Sequence, residues 1–247
     1  MLATLPTYIA RNKRRKTPLA IIEVQQFATI DIAVHTAELE KTELVILCKG
    51  SMYLVFAALT RAASSSQPVI VVAECTSLEE VHLALSVGVG GICVTSSVFS
   101  KDERIAGLIE LSAMAAARGV SCLVEWQVTD PIPSDLDATG IAAIILTELG
   151  SVNSTFLREL CLHLGRKGRL ATFLEADELT PRVLGNSLRT GLSGYVVRGS
   201  VESAFTAGLR TGLRNRSALY PVQYERFARI AAAEAVHNIL KIHKQLR

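Results

Sequence analysis

Eight short apolar runs recur along the chain, each followed by a segment of helical character. They are Leu19–Val24, Leu44–Cys48, Val69–Ala73, Gly91–Thr95, Val120–Trp126, Ile141–Thr147, Leu170–Leu174 and Gly194–Val197. Unbroken apolar stretches of this length mark strands covered on both faces, as in a parallel sheet enclosed by helices. Eight such units within roughly 200 residues match the size and count of a (β/α)8 TIM barrel. That fold restricts where chemistry is sought, because its active sites sit at the C-terminal ends of the strands.

Helix punctuation agrees with the alternation. Thr76 with Glu79, and Ser100 with Glu103, have capping-box spacing, and Thr180-Pro181 reads as an N-cap followed by proline at the first helical position. Arg118-Gly119 is a basic last turn with a glycine stop. Helices are expected near 31–41, 52–63, 77–87, 102–118, 153–165, 180–189 and 200–212. The fifth unit is the exception, since Thr129-Asp130-Pro131-Ile132-Pro133-Ser134 breaks helix where one is wanted, so a short or irregular helix is expected there.

Outside the barrel, placed at 18–213, stand a helical extension at 1–17 and another at 214–247. A long helix over 221–245 carries apolar positions that either fold onto the barrel or dock a partner. Tyr220, Tyr224, Phe227 and Ile230 near its start are candidate interface residues, although the aromatic members could equally tack the helix to the barrel.

The chain of 247 residues is 49% apolar and 20% charged, with a formal charge of +3. This composition excludes disorder, and the charge is too small to argue for nucleic acid. No apolar stretch approaches the roughly 20 residues of a membrane span. Cys48, Cys75, Cys93, Cys122 and Cys161 form no CxxC and no metal-ligand spacing, which points to a reducing compartment, cytoplasmic or organellar, rather than secretion. The first 22 residues hold no acid and several Arg and Lys, as a transit peptide does.

Candidate chemistry gathers at the strand ends: Glu23, Gln25, Lys49, Glu74, Glu125, Gln127, Thr147, Glu148, Glu175 and Arg198. Alternation points Glu23 with Gln25, Glu74 with Val72, and Glu125 with Gln127 inward. Trp126 then points outward, into helix–sheet packing. His35, His82, His163, His237 and His243 all fall in predicted helices, so no transition-metal site is expected. Gly88-Val89-Gly90-Gly91 follows a helix and precedes a strand, the reverse of a dinucleotide fingerprint. No cofactor is implied.

Several segments resemble indole-3-glycerol phosphate synthase, a barrel lyase of tryptophan biosynthesis. Tyr8-Ile9-Ala10-Arg11-Asn12-Lys13-Arg14-Arg15 resembles that family's basic N-terminal helix, and Ile21-Ile22-Glu23-Val24-Gln25 its first strand. Pro68-Val69-Ile70-Val71-Val72-Ala73 stands where the family reads Pro-Val-Leu-Arg-Lys-Asp. Ala115-Ala116-Ala117-Arg118-Gly119 and Cys122-Leu123-Val124-Glu125 are similar to its fourth helix and fifth strand.

The resemblance implies a decarboxylative ring closure run by two lysines and two glutamates, with a phosphate cradle at strands seven and eight. Carried over, the glutamates are Glu23 and Glu125, while the lysines become Val72 and Gln25. Gly199 and Ser200 could still offer amides to an anion or a phosphorylated molecule at a helix N-terminus, though Glu175 would oppose it. The expectation is therefore a degenerate relative, a pseudoenzyme kept as a structural or interaction subunit with a protein partner or second copy on its terminal helices. The alternative is an active lyase in which Glu23 and Glu125 work with Lys49 or Arg198 as recruited cation.

Overall fold

The structure, a computed structural model, describes residues 4–15, 18–95, 98–100, 102–133, 136–147, 159–160, 164, 170–177, 192–214 and 221–245. Eight strands form the wall: β1 Leu19–Val24, β2 Leu44–Cys48, β3 Val69–Cys75, β4 Gly91–Thr95, β5 Ser121–Gln127, β6 Ala143–Thr147, β7 Ala171–Ala176 and β8 Gly194–Val197. Each pairs in parallel with the next, and β8 closes on β1 through Leu19 opposite Gly194 and Ile22 opposite Val197. The (β/α)8 barrel expected from the apolar runs is the fold observed.

Helices α1 Leu5–Arg15, α2 Phe27–Leu39, α3 Met52–Ala63, α4 Leu78–Val87, α5 Arg104–Ala116, α6 Ser200–Arg214 and α7 Pro221–Gln245 surround it among the described residues. Among the described residues the fifth unit carries only a 3-10 turn, Leu136–Thr139, after the proline-rich stretch. There Gly140, at φ +81°, turns the chain into β6, and this delays the strand to Ala143 rather than Ile141. The helices expected at 153–165 and 180–189, and the cap at Thr180-Pro181, fall essentially outside the described residues.

Side-chain alternation divides the apolar residues into two bodies. Ile22, Val24, Ile46, Val71, Trp126 and their like face the helices, while Ile21, Leu47, Val72, Cys93, Leu123 and Phe173 fill the barrel interior. Leu5 and Tyr8 of α1 belong to that interior cluster, and Leu5 lies against Gly91 at the start of β4. Helix α1 is thus a plug in the N-terminal end of the barrel. Arg11 holds it there, pairing with Glu43 and stacking on the Tyr8 ring at 4.5 Å.

The cap of α4 lies one residue beyond its expected place. Ser77 accepts from the Glu80 amide, and Glu80 reaches back to the Thr76 amide. Helix α7 lays Ala228, Ala232, Val236, Ile239 and Leu240 against the barrel. It crosses α6 closely at Gly208, where a Cβ would stand 2.6 Å from the Ala228 Cα. Arg229–Asp31 at 3.1 Å and His237–Glu40 at 2.7 Å tie it to α2. Phe227 and Ile230 stay exposed on its outer side, while Tyr220 and the Tyr224 side chain lie outside the described residues. Among the described residues no helix is long and apolar enough to cross a membrane.

Candidate active site at the barrel mouth

Period-two alternation brings Glu23, Lys49, Glu74, Thr95, Glu125, Thr147, Glu175 and Arg198 to the top of the barrel, each two residues beyond an interior apolar residue. Apolar layers below and a charged layer above is what a packed barrel with its site at the C-terminal face requires. The mouth divides into two parts.

On one side Arg198 gathers three carboxylates. Its Nη1 lies 3.0 Å from Glu23 Oε2, its Nη2 bonds Glu125, and its Nε lies 3.2 Å from Glu175 Oε1. The Arg198 side chain is only 10% exposed and Glu23 only 2%. Burial alone would loosen the arginine's proton, but the charges of Glu125 and Glu23 outweigh it and raise the pKa. Gln25 completes the cluster by donating Nε2–H to Glu23 Oε1 at 2.8 Å.

On the other side Lys49 faces Glu74 on the neighbouring strand, Nζ to Oε1 3.7 Å. The Lys49 side chain is 42% exposed and the Glu74 side chain 7%. Burial, and then the nearby Glu125 charge, raise the Glu74 carboxyl above the ordinary glutamate range. Beneath them Cys93, fully enclosed, has its thiol pushed up by burial and by Glu125.

Gly199 and Ser200 lie where β8 passes into α6, Gly199 at φ +66°. Together with Arg198 and Asp177 they line a cavity of about 700 Å³ that reaches Asn238 and Ile239 of α7. A second cavity, about 610 Å³, opens beside Gln25, Gln26, Glu202 and Arg210.

Among the described residues no group of three or more His, Cys, Asp and Glu side chains is placed to hold a metal ion. His35, His82 and His237 sit on outer helices, and three mouth carboxylates already face Arg198.

The structure brings Glu23, Glu125 and Arg198 together, while Lys49 pairs with Glu74 instead of the two glutamates. Glu148 lies outside the described residues. Asp177 and Glu202 were not anticipated, although an acid two residues into a helix that follows Gly-Ser is a readable first-turn signal.

No protein-family model matches the sequence, and no curated protein matches it. Solved structures do. A Coccidioides immitis protein provisionally assigned as a fructose-1,6-biphosphate aldolase superposes with TM-score 0.81 at 18% identity, covering 97% of this chain and 94% of that one. The YdjI aldolase of Escherichia coli K12 gives TM-score 0.80 at 17% identity, covering 98% and 97%. The fructose-bisphosphate aldolase of Campylobacter jejuni gives 0.76 at 12%, covering 97% and 94%. At such identities the likeness establishes the barrel.

These neighbours are aldolases, which overturns the expected kinship with indole-3-glycerol phosphate synthase. With it fall the place in tryptophan biosynthesis, the active synthase-type alternative and the degenerate-subunit reading. The physical reason lies at Val72. That side chain is fully buried in the barrel interior, one layer below the mouth, so its lack of a proton says nothing about catalysis. The residue that β3 presents to the mouth is Glu74, beside an amine.

Proposed function

We propose that this chain is a carbon–carbon lyase of the aldolase type, working through Lys49 and Glu74. The observation that carries the proposal is the 3.7 Å approach of the Lys49 amine to a buried carboxylate at the mouth of a barrel whose structural neighbours are aldolases. Aldol cleavage needs an electron sink at a carbonyl and a base at the hydroxyl two carbons away. A lysine amine supplies the first by adding to the carbonyl and expelling water, which leaves an iminium. Glu74, whose affinity for a proton burial raises, takes the hydroxyl proton as the carbon–carbon bond breaks. The electron pair moves into the enamine. Protonation at carbon and addition of water then release the second product and restore the amine.

The substrate in this reading is a hydroxy-ketone whose reacting end bears no phosphate. Among the described residues the mouth holds Glu23, Glu74, Glu125 and Glu175 against Lys49 and Arg198, a surplus of negative charge. Glu23, Glu125 and Arg198 form the wall that positions it. Gly199 and Ser200 hold its far end, where the adjacent Asp177 favours hydroxyl over phosphate. The exposed Phe227 and Ile230 on α7 offer a contact for a second copy or a protein partner, and a reducing compartment suits the buried free thiols of Cys48, Cys75, Cys93 and Cys122.

Borohydride reduction in the presence of dihydroxyacetone or pyruvate, followed by peptide mapping, tests the proposal. A reduced adduct on Lys49, absent from K49M, is expected, together with cleavage of unphosphorylated hydroxy-ketones. An adduct confined to other lysines, or none with any carbonyl donor, would sink it.

A further inference from the structure

Glu202 stands in the first turn of α6, outside the mouth, and is 8% exposed. Its Oε1 accepts the Gln25 amide N–H at 2.6 Å and the Thr29 hydroxyl at 2.5 Å. Its Oε2 is buried and accepts no hydrogen bond among the described residues. Buried carboxylates are costly unless their partners are fixed, so a carboxylate held on one oxygen, with the other idle, calls for a role beyond its own stability.

The bonds lead to the mouth. Gln25, fixed through its backbone by Glu202, donates its side-chain amide to Glu23 Oε1 at 2.8 Å. Glu23 gives its other oxygen to Arg198 at 3.0 Å. Arg198 precedes Glu202 by four residues, joined through Gly199 and the start of α6. These bonds therefore close a ring across the β8–β1 seam, from Arg198 to Glu23 to the Gln25 side chain, then from the Gln25 backbone amide to Glu202 and back along the chain.

From this ring we infer that Glu202 is a positioning residue: it sets the Gln25–Glu23 strut that fixes the Arg198 guanidinium in the mouth. Glu202 touches no reacting atom. It ties the end of β1 and the start of α2 to the first turn of α6 through the Gln25 amide and the Thr29 hydroxyl. The Arg198 wall then keeps one geometry while substrate enters and products leave. Reactions of this kind lose on the order of 100-fold in rate for a displacement of about 1 Å at the positioning groups.

The test uses the full-length protein labelled with ¹⁵N-arginine. The Arg198 Nη–H signals, identified by their loss in R198K, are expected to exchange slowly and to show hindered guanidinium rotation in the wild type. E202A should collapse them into fast exchange, while E202Q, which keeps an acceptor for Gln25 and Thr29, should recover most of the slow signal. In the kinetic arm, which alone rests on the lyase proposal, E202A should lower kcat on the order of 100-fold with little change in KM, and E202Q should recover most of it.

A folded E202A whose Arg198 signals stay slow overturns the inference. Should E202A fail to fold, E202D keeps the charge but shortens the reach to the Gln25 amide and the Thr29 hydroxyl, while Q25L removes the next link, the bond to Glu23. Arg198 signals that stay slow in either variant overturn the inference, and their release in both supports it. A wild type that turns over nothing counts against the lyase, while the arginine signals decide the role of Glu202 regardless.

Discussion

Among the described residues two cations stand at the mouth of this barrel, and their surroundings differ in kind. Arg198 is enclosed and faces carboxylates from three strands, β1, β5 and β7. Lys49 is nearly half exposed and faces Glu74, at 3.7 Å rather than in tight contact. A planar guanidinium with five fixed donors suits the first place, and a mobile amine suits the second. The difference frames the lyase proposal as a division of labour, in which one side of the mouth is fixed architecture and the other carries the amine proposed to form a bond.

Replacing Lys49 by Met sharpens that contrast most. The borohydride adduct should vanish and cleavage should fall on the order of 10⁶-fold, the scale of losing a covalent nucleophile. The melting temperature should change much less than on loss of Arg198, because Lys49 is 42% exposed and stands 3.7 Å from Glu74, a loose and partly solvated pair. A K49M protein that cleaves normally would erase the distinction between the two cations.

Arg198→Met should do the reverse and strike stability first. It leaves Glu23 and Glu125 buried without their cation, a loss of about 3–5 kcal/mol. At this chain length that lowers Tm by about 10 °C. Thermal melting of R198M against R198K measures it, and a Tm within about 2 °C of wild type would show that the cluster is not structural.

Glu74→Gln comes next, with an expected loss of about 100-fold in cleavage, within the usual span for a general base. Stability adds a second readout with a definite sign. The Glu74 pKa lies above its ordinary value of 4.5, so the folded chain holds this proton more firmly than the unfolded one. Glu74 therefore costs the wild type stability relative to E74Q as pH rises from 4.5 through the raised value. Parallel denaturant melts of the two proteins from pH 4 to pH 8 would reveal it, and parallel curves would refute the burial of Glu74.

Much of this was legible beforehand, for a physical reason. Strands covered on both faces must be apolar throughout, so Leu44–Cys48 and Gly91–Thr95 announced themselves, and alternation then aimed Glu23, Glu74 and Glu125 inward. Pairing across the mouth was not legible. Arg198 and Glu23 are 175 residues apart, and only closure of β8 on β1 brings them together. The depth of each layer was hidden too: the resemblance put Val72 in the place of a catalytic lysine, while the residue that β3 presents to the mouth is Glu74, already among the strand-end candidates. The resemblance to another lyase failed for a related reason, since a short apolar run ending in Glu, such as Cys122–Glu125, suits the strand of any parallel barrel that carries an acid at its mouth.

The smallest effect separates the buried arginine from one built similarly on the surface. Arg61 on α3 bonds Glu38 at 2.8 Å and Asp31 at 3.1 Å, yet Asp31 is half exposed. The hydrogen bonds from Arg61 hold the Glu38 carboxyl down at about 2. The stability this pair contributes is therefore complete above 4.5 and is lost as pH falls toward 2. Arg61→Met should cost about 1 kcal/mol or less at neutral pH, and 1 M salt should remove most of that difference. The cost of R198M should persist in the same salt, because a pair exposed by 10% and 2% is screened far less than one on the surface. If salt erased both differences alike, Arg198 would be a surface charge like Arg61, and the rigid side of the mouth would have no physical basis.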